Sequence, residues 1–262
     1  MWLSYWKLAR DPFSAPCASY VATPTHDEAV ARIVHAIESG QRSATLRAGA
    51  GLGKSTILAR VLADTRSPSR RIARAAGPVD GPSLYAALAD SLGTRVSPGA
   101  PRAAAWRTLT QAVRLERWQR THVVLAIDDV HLLREPADLA DLERLLHLDP
   151  APTARFTVVT AGRPDDECAP PAPAWDVTLR LPPLARGEAE QFVLAKLASA
   201  GRTEATFTQR AITRLHAHSE GIPRGLDRLS ALALMAGAVR GLEIITPEVI
   251  EGVTRECVLP AA

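Results

Sequence analysis

Lysine is almost missing from this 262-residue chain: Lys7, Lys54 and Lys196 are the only ones, and arginine supplies the rest of the basic charge. That skew carries no function by itself, but it leaves few ammonium groups available for chemistry. Cysteine is equally sparse. Cys17, Cys168 and Cys257 lie far apart without a CxxC pair or a His/Cys cluster. This excludes a disulfide framework and a zinc site and fits a reducing cytosol. A long apolar run is lacking too. The longest, residues 231–239, falls far short of the roughly 20 residues needed to cross a bilayer. The first residues do not follow the basic-then-apolar order of a secretory leader. The expectation is a cytoplasmic protein with no membrane insertion of its own. Charge of one sign is not dominant either: the net charge is +3 and the pI about 9.0, which permits nucleic-acid contact without demanding it.

What is present is an ordinary globular balance, 47% hydrophobic and 23% charged, with enough length to bury a core without staples. Residues 1–25 read as an irregular segment of aromatics between prolines. Thr25 and Glu28 have capping-box spacing, and Ala29, Ile33, Ala36 and Ile37 follow on one helical face. Strands are expected at 43–47, 71–75, 122–127, 156–160 and 176–181, with helices at 56–62, 83–92, 103–120 and 136–148 between them. After Pro182-Pro183 the period changes. Residues 186–200, 208–219, 223–239 and 247–257 all read as helices.

The pattern predicts an α/β core with a parallel five-stranded sheet, then a small all-α lid. The expected domains are 1–25, an irregular N-terminal segment; 26–182, the α/β domain; and 183–262, the helical lid.

Two motifs carry chemistry. Ala48-Gly49-Ala50-Gly51-Leu52-Gly53-Lys54-Ser55 follows the first strand and opens a helix. Alternate glycines let the backbone curl so that its amides face a phosphate chain, and the helix N-terminus adds its dipole. Lys54 is placed to reach the β- and γ-phosphates of ATP, and the Ser55 hydroxyl, followed by Thr56, to ligate Mg²⁺. The strict pattern has Gly where this chain has Ala48, a methyl that is tolerable if φ stays negative. The second motif is the apolar run 123–127 ending in Asp128-Asp129. Carboxylates at the C-terminal end of a parallel strand sit where ligands bind. Asp128 is assigned to the magnesium and Asp129 to the attacking water.

Further segments resemble a known family. Residues 5–13 (YWKLARDPF) resemble the N-terminal signature of the general secretion pathway protein A ATPases, and residues 24–29 (PTHDEA) the segment before their first helix. Leu181-Pro182-Pro183-Leu184, with Glu188 and Phe192, resembles the start of their lid, and Gly221-Ile222-Pro223-Arg224 their second sensor motif. The chain is also similar to DNA-transposition ATPases of the TniB, TnsC and MuB kind, in the same AAA+ branch. The resemblance implies Thr160 as first sensor, Arg224 as second sensor, and Val21, Ala22 and Pro24 at the adenine. It implies an ATP-dependent homo-oligomer working with a secretion partner, a transposase or duplex DNA. An arginine finger would come from a neighbouring subunit, with Arg155, Arg163 and Arg180 as candidates.

Each reading has a plainer alternative: Thr160 as an ordinary strand threonine, Arg224 as a surface cap or pair, His131 as a polar group at a helix start. Relatives carry Glu where this chain has Asp129, which implies slow turnover. The chain ends at Ala262 without the membrane and cell-wall segments of secretion-type relatives, an expectation that favours the DNA-linked branch. A small-molecule kinase is a third reading, opposed by the helical region and the Gly-Ile-Pro-Arg motif.

Overall fold

A computed structural model describes residues 2–14, 20–77, 80–133, 135–148, 156–164 and 175–257. The chain divides into two compact units. One comprises residues 28–50 and 57–181; the other comprises residues 1–27, 51–56 and 182–262.

The first unit is built on a five-stranded parallel sheet, in the order β2-β3-β4-β1-β5. Its strands are β1 (Ser43–Arg47), β2 (Arg70–Ala76), β3 (His122–Asp128), β4 (Phe156–Gly162) and β5 (Val177–Arg180). Every residue of β3 and β4 is buried, the state of strands covered on both faces and the reason their sequences lack alternation. Helices α4 (Gly81–Ser91), α5 (Arg102–Trp118) and α6 (Pro136–Leu146) share one core with β2, β3 and β4, with Tyr85, Leu88, Leu109, Leu125 and Ile127 at its centre. A buried ion cluster ties these helices together. Arg102 Nη2 lies 2.6 Å from Asp138 Oδ1, its Nη1 pairs with Asp141, and Asp138 Oδ1 also accepts the Gly81 amide at 2.9 Å. Both carboxylates are buried, and a Cβ at position 81 would come 2.9 Å from Asp141 and 3.0 Å from Asp138.

The second unit packs helices α7 (Arg186–Ser199), α8 (Gln209–Ser219), α9 (Pro223–Val239) and α10 (Pro247–Cys257) around a core that also takes in the N-terminal segment. That segment is not wholly irregular: Trp2–Tyr5 forms a short helix, α1. Trp6 is 1% exposed, its indole N–H donates to the Leu234 carbonyl at 2.8 Å, and Leu8 and Phe13 are buried beside it. Tyr5 donates to the Leu242 carbonyl at 2.9 Å. The aromatic N-terminal signature is thus packing chemistry for the helical unit. Lys196 is buried and sits 2.7 Å from both oxygens of Asp227.

Two local expectations are corrected. Helix α2 (Pro24–Glu38) starts two residues earlier than the capping box predicts. Thr23 caps it, accepting the His26 amide on Oγ1 at 3.4 Å, and Pro24 takes the first turn, where its missing N–H costs nothing. Thr25 lies inside the helix, and its amide donates to Glu188 Oε1 at 2.7 Å. The fourth strand runs on to Gly162, so Thr160 is an interior residue and not the strand end. Helix α3 spans Lys54–Asp64.

Candidate functional site

The glycine loop leaves β1 at Ala48. Ala48 is buried, does not take positive φ, and donates its amide to the Gly162 carbonyl at 3.1 Å. The methyl in place of glycine is therefore accommodated, as its backbone requires. Gly51 and Gly53 carry φ of +80° and +94°, a region that side chains resist. Gly49 does not take positive φ, and Ala50 opens the turn that includes Gly51. Lys54 is 7% exposed at the first position of α3, with Ser55 and Thr56 next on the helix.

Around Gly51–Thr56 the helical unit supplies specific neighbours. The Arg224 amide donates to the Gly51 carbonyl at 3.2 Å. A Cβ on Gly51 would lie 2.9 Å from Arg224 Cβ and 3.0 Å from Ile222 Cγ2, so the glycine is required by approach as well as by φ. Arg224 itself is exposed, one residue into α9. The Gly221 and Leu184 backbones pair through Leu184 N–H to Gly221 O at 2.9 Å, and His216 Nε2 meets Leu184 O at 2.9 Å. Glu220 and Gly221 are both left-handed, turning the chain sharply before Pro223 starts α9. The Pro-Pro-Leu and Gly-Ile-Pro-Arg segments are thus two sides of one hydrogen-bonded corner.

His26 was missed by sequence reading. It is 5% exposed, its Nε2 has no hydrogen-bond partner among the described residues, and a Cβ on Gly53 would lie 3.3 Å from its Cε1. Burial pushes its pKa below the ordinary 6.5, against the backbone of Leu52 and Val21 and the charges of Glu188 and Asp27. Only the residue spacing from the loop, which no linear pattern reveals, would have found it. Val21 is half-buried against the helical core, and Ala22 is exposed.

In the sheet unit, Asp128 is 3% exposed at the end of β3, with Arg74 Nη2 3.5 Å from its Oδ2. Its Oδ1 accepts the Asp129 amide at 3.0 Å. Asp129 has φ +53°, and its carboxylate is half-exposed and 3.9 Å from His131 Nδ1. Aspartate tolerates the left-handed region better than most side chains do, which gives a local reason for Asp at this position. A 3-10 turn, Val130–Leu132, follows. Gly162 makes room for it: a Cβ there would stand 2.8 Å from Val130 Cγ1. Thr160 is fully buried, and its hydroxyl donates to Thr45 Oγ1 at 2.9 Å across the β1–β4 register. Arg163 and Arg180 are exposed beyond and at the ends of β4 and β5; Arg155 lies outside the described residues.

The helical unit thus gathers Gly51–Thr56, Val21, Ala22 and Arg224, and the sheet unit gathers Ala48, Gly49, Ala50, Asp128, Asp129 and Thr160. Ser55 in the helical unit carries a hydroxyl and Asp128 in the sheet unit a carboxylate, each a hard oxygen donor of the kind Mg²⁺ takes. A glycine-rich turn at positive φ running into a helix N-terminus fits a phosphate chain.

This fold and these motifs define a P-loop nucleotide-binding core with a parallel sheet and a helical C-terminal region. The model of the AAA domain family AAA_22 matches residues 37–167, half of the 262-residue chain, and the chain belongs to that family. It is similar to general secretion pathway protein A of Aeromonas hydrophila, 28% identical over 257 residues. That match covers 92% of this chain and 46% of the relative, so the chain spans about half that relative's length. Among solved structures it superposes on Drosophila ORC bound to DNA, with TM-score 0.72, 17% identity, and 98% of this chain and 67% of that one covered. It also superposes on Cdc6p from Pyrobaculum aerophilum (0.70, 18%, 97% and 73%). The RuvB Holliday junction branch migration motor of Thermotoga maritima aligns at 0.60 and 17% identity, over 94% of this chain and 73% of its own. At such identities these structures establish the fold alone. Among the described residues no helix is long and apolar enough to cross a membrane.

Proposed function

We propose that this chain binds Mg·ATP and hydrolyses it slowly at an interface between its own copies, driving or gating assembly with a partner. The observation that carries the reading is the hydrogen bond from the Arg224 amide to Gly51, which joins the C-terminal arginine motif to the glycine loop. In this reading the backbone from Ala48 to Thr56 cradles the phosphates, and Lys54 neutralises the β- and γ-phosphates. Ser55 and Asp128 hold magnesium, and Asp129 orients the attacking water. Arg224 and Thr160 sense the γ-phosphate; the Thr160 hydroxyl, engaged by Thr45, would do so only by exchanging that partner. Val21 and Ala22 border the adenine. The 28% identity to a general secretion pathway protein A favours a secretion-type assembly partner.

The test separates binding from chemistry. Asp129→Asn keeps the size and the left-handed tolerance but removes the base. It is expected to retain ATP affinity and to lose turnover by about 10²–10⁴-fold, the usual contribution of a general base, measured by phosphate release alongside nucleotide titration. Undiminished turnover would remove Asp129 from the mechanism.

A second reading, an ATP-gated scaffold on duplex DNA, is favoured by an observation of its own: a row of arginines along the free edge of β2.

A further inference from the structure

Strand β2 is an edge strand, and between it, α3 and α4 lies a cavity of about 750 Å³. Its floor is apolar, with Leu62 and Ile72, and its lining includes Arg66, Arg70, Arg71 and Arg74 and no acidic residue. All of these belong to the sheet unit. We infer that this groove binds the phosphodiester backbone of nucleic acid, a site separate from the glycine loop. The inference rests on the scaffold reading for its biological sense, but not on ATP binding.

The chemistry of the lining selects the ligand. Four arginines line the groove against two facing carboxylates, Glu116 at Arg71 and Asp128 at Arg74, so positive charge is in excess and an anion relieves that cost. Arg66 has no acid within ion-pair distance among the described residues. Arg70 is held by one end: its Nη1 donates to the Thr65 carbonyl, while its Nε is buried and without a partner among the described residues. Arg71 lies 3.6 Å from Glu116 and donates to the Leu92 carbonyl at 3.5 Å, both long contacts. Guanidinium forks match phosphate oxygens in pairs, which a compact ammonium does not.

Length argues for a chain and not a single phosphate. Arg70 and Arg74 are four residues apart on an extended strand, about 13 Å, or about two phosphate-to-phosphate steps along one DNA strand, more than a single phosphate spans. An acidic peptide added as a sixth strand is disfavoured, because the Arg74 amide is already taken by Ser91 Oγ at 3.0 Å. Arg74 also reaches Asp128 and is left intact in the test.

The experiment is fluorescence anisotropy of a short labelled DNA duplex with the full chain, without nucleotide, at two salt concentrations. With four phosphate contacts, affinity is expected to fall about 150-fold between about 50 and 200 mM salt. Arg66→Ala/Arg71→Ala is expected to bind more weakly at both, with a fall of only about 12-fold over the same range. Arg66→Lys/Arg71→Lys, which keeps the charges, is expected to retain most of the salt dependence. Circular dichroism checks that each variant folds. If the alanine variant binds like the wild type, the groove is not the site, although a scaffold using another surface survives. If the wild type binds no duplex, or binds polyglutamate equally well, the inference is overturned. None of these outcomes bears on Mg·ATP binding, which is measured separately.

Discussion

Single residues set the conformations the site needs. Gly51 and Gly53 take up positive φ where a side chain costs roughly 1–2 kcal/mol, and Arg224 packs where a Gly51 Cβ would stand. Asp129 uses the same left-handed region, which aspartate tolerates better than most side chains. His26 makes a prediction about pH. Its folded-state pKa lies below its unfolded value of 6.5 because burial opposes the charged ring. The unfolded chain therefore binds the extra proton first as pH falls, and stability is lost from about 6.5 downward until the folded-state pKa is passed. Above that window the contribution is fully present. Urea midpoints of the wild type should drop between neutral and mildly acidic pH, and His26→Gln should flatten that part of the profile. An identical slope in the variant would remove His26 as its source.

At the scale of elements, the clearest energetic claim concerns the joint between α4, α5 and α6. Arg102→Ala leaves buried Asp138 without its cation and buried Asp141 with only the exposed Arg144, 3.3 Å away. Breaking a buried pair costs about 3–5 kcal/mol. Arg102 is about one-third exposed, so a loss of about 2–3 kcal/mol is expected by denaturant unfolding. A loss under about 1 kcal/mol would place the cluster with ordinary surface pairs. Most elements were legible in the sequence because their signals are local. The apolar runs of β3 and β4 could only be buried parallel strands, and Gly or Pro punctuates each C-terminal helix. The misread features depended on partners distant in the chain. The start of α2 needed Thr23 and Glu188, 165 positions apart, and the end of β4 depends on the room Gly162 leaves for Val130. Of the candidate site, the two motif lines were readable as patterns. The burial of His26 and the Thr160–Thr45 hydrogen bond were not, since both arise from packing across elements.

For the whole molecule, the sheet unit carries Asp128 and Asp129, and the helical unit carries Lys54 and Arg224. If hydrolysis needs an arginine from a neighbouring copy, turnover per protomer should rise with protein concentration and then level off, as measured by phosphate release over a dilution series. A rate per protomer independent of concentration would point to a self-sufficient monomer. Underneath this lies the claim that the glycine loop and Lys54 hold a triphosphate. Isothermal calorimetry with Mg·ATP on the wild-type chain and on Lys54→Ala tests it most directly. The account predicts saturable heat for the wild type and its loss in the variant; no heat from the wild type, or unchanged affinity in Lys54→Ala, would contradict it.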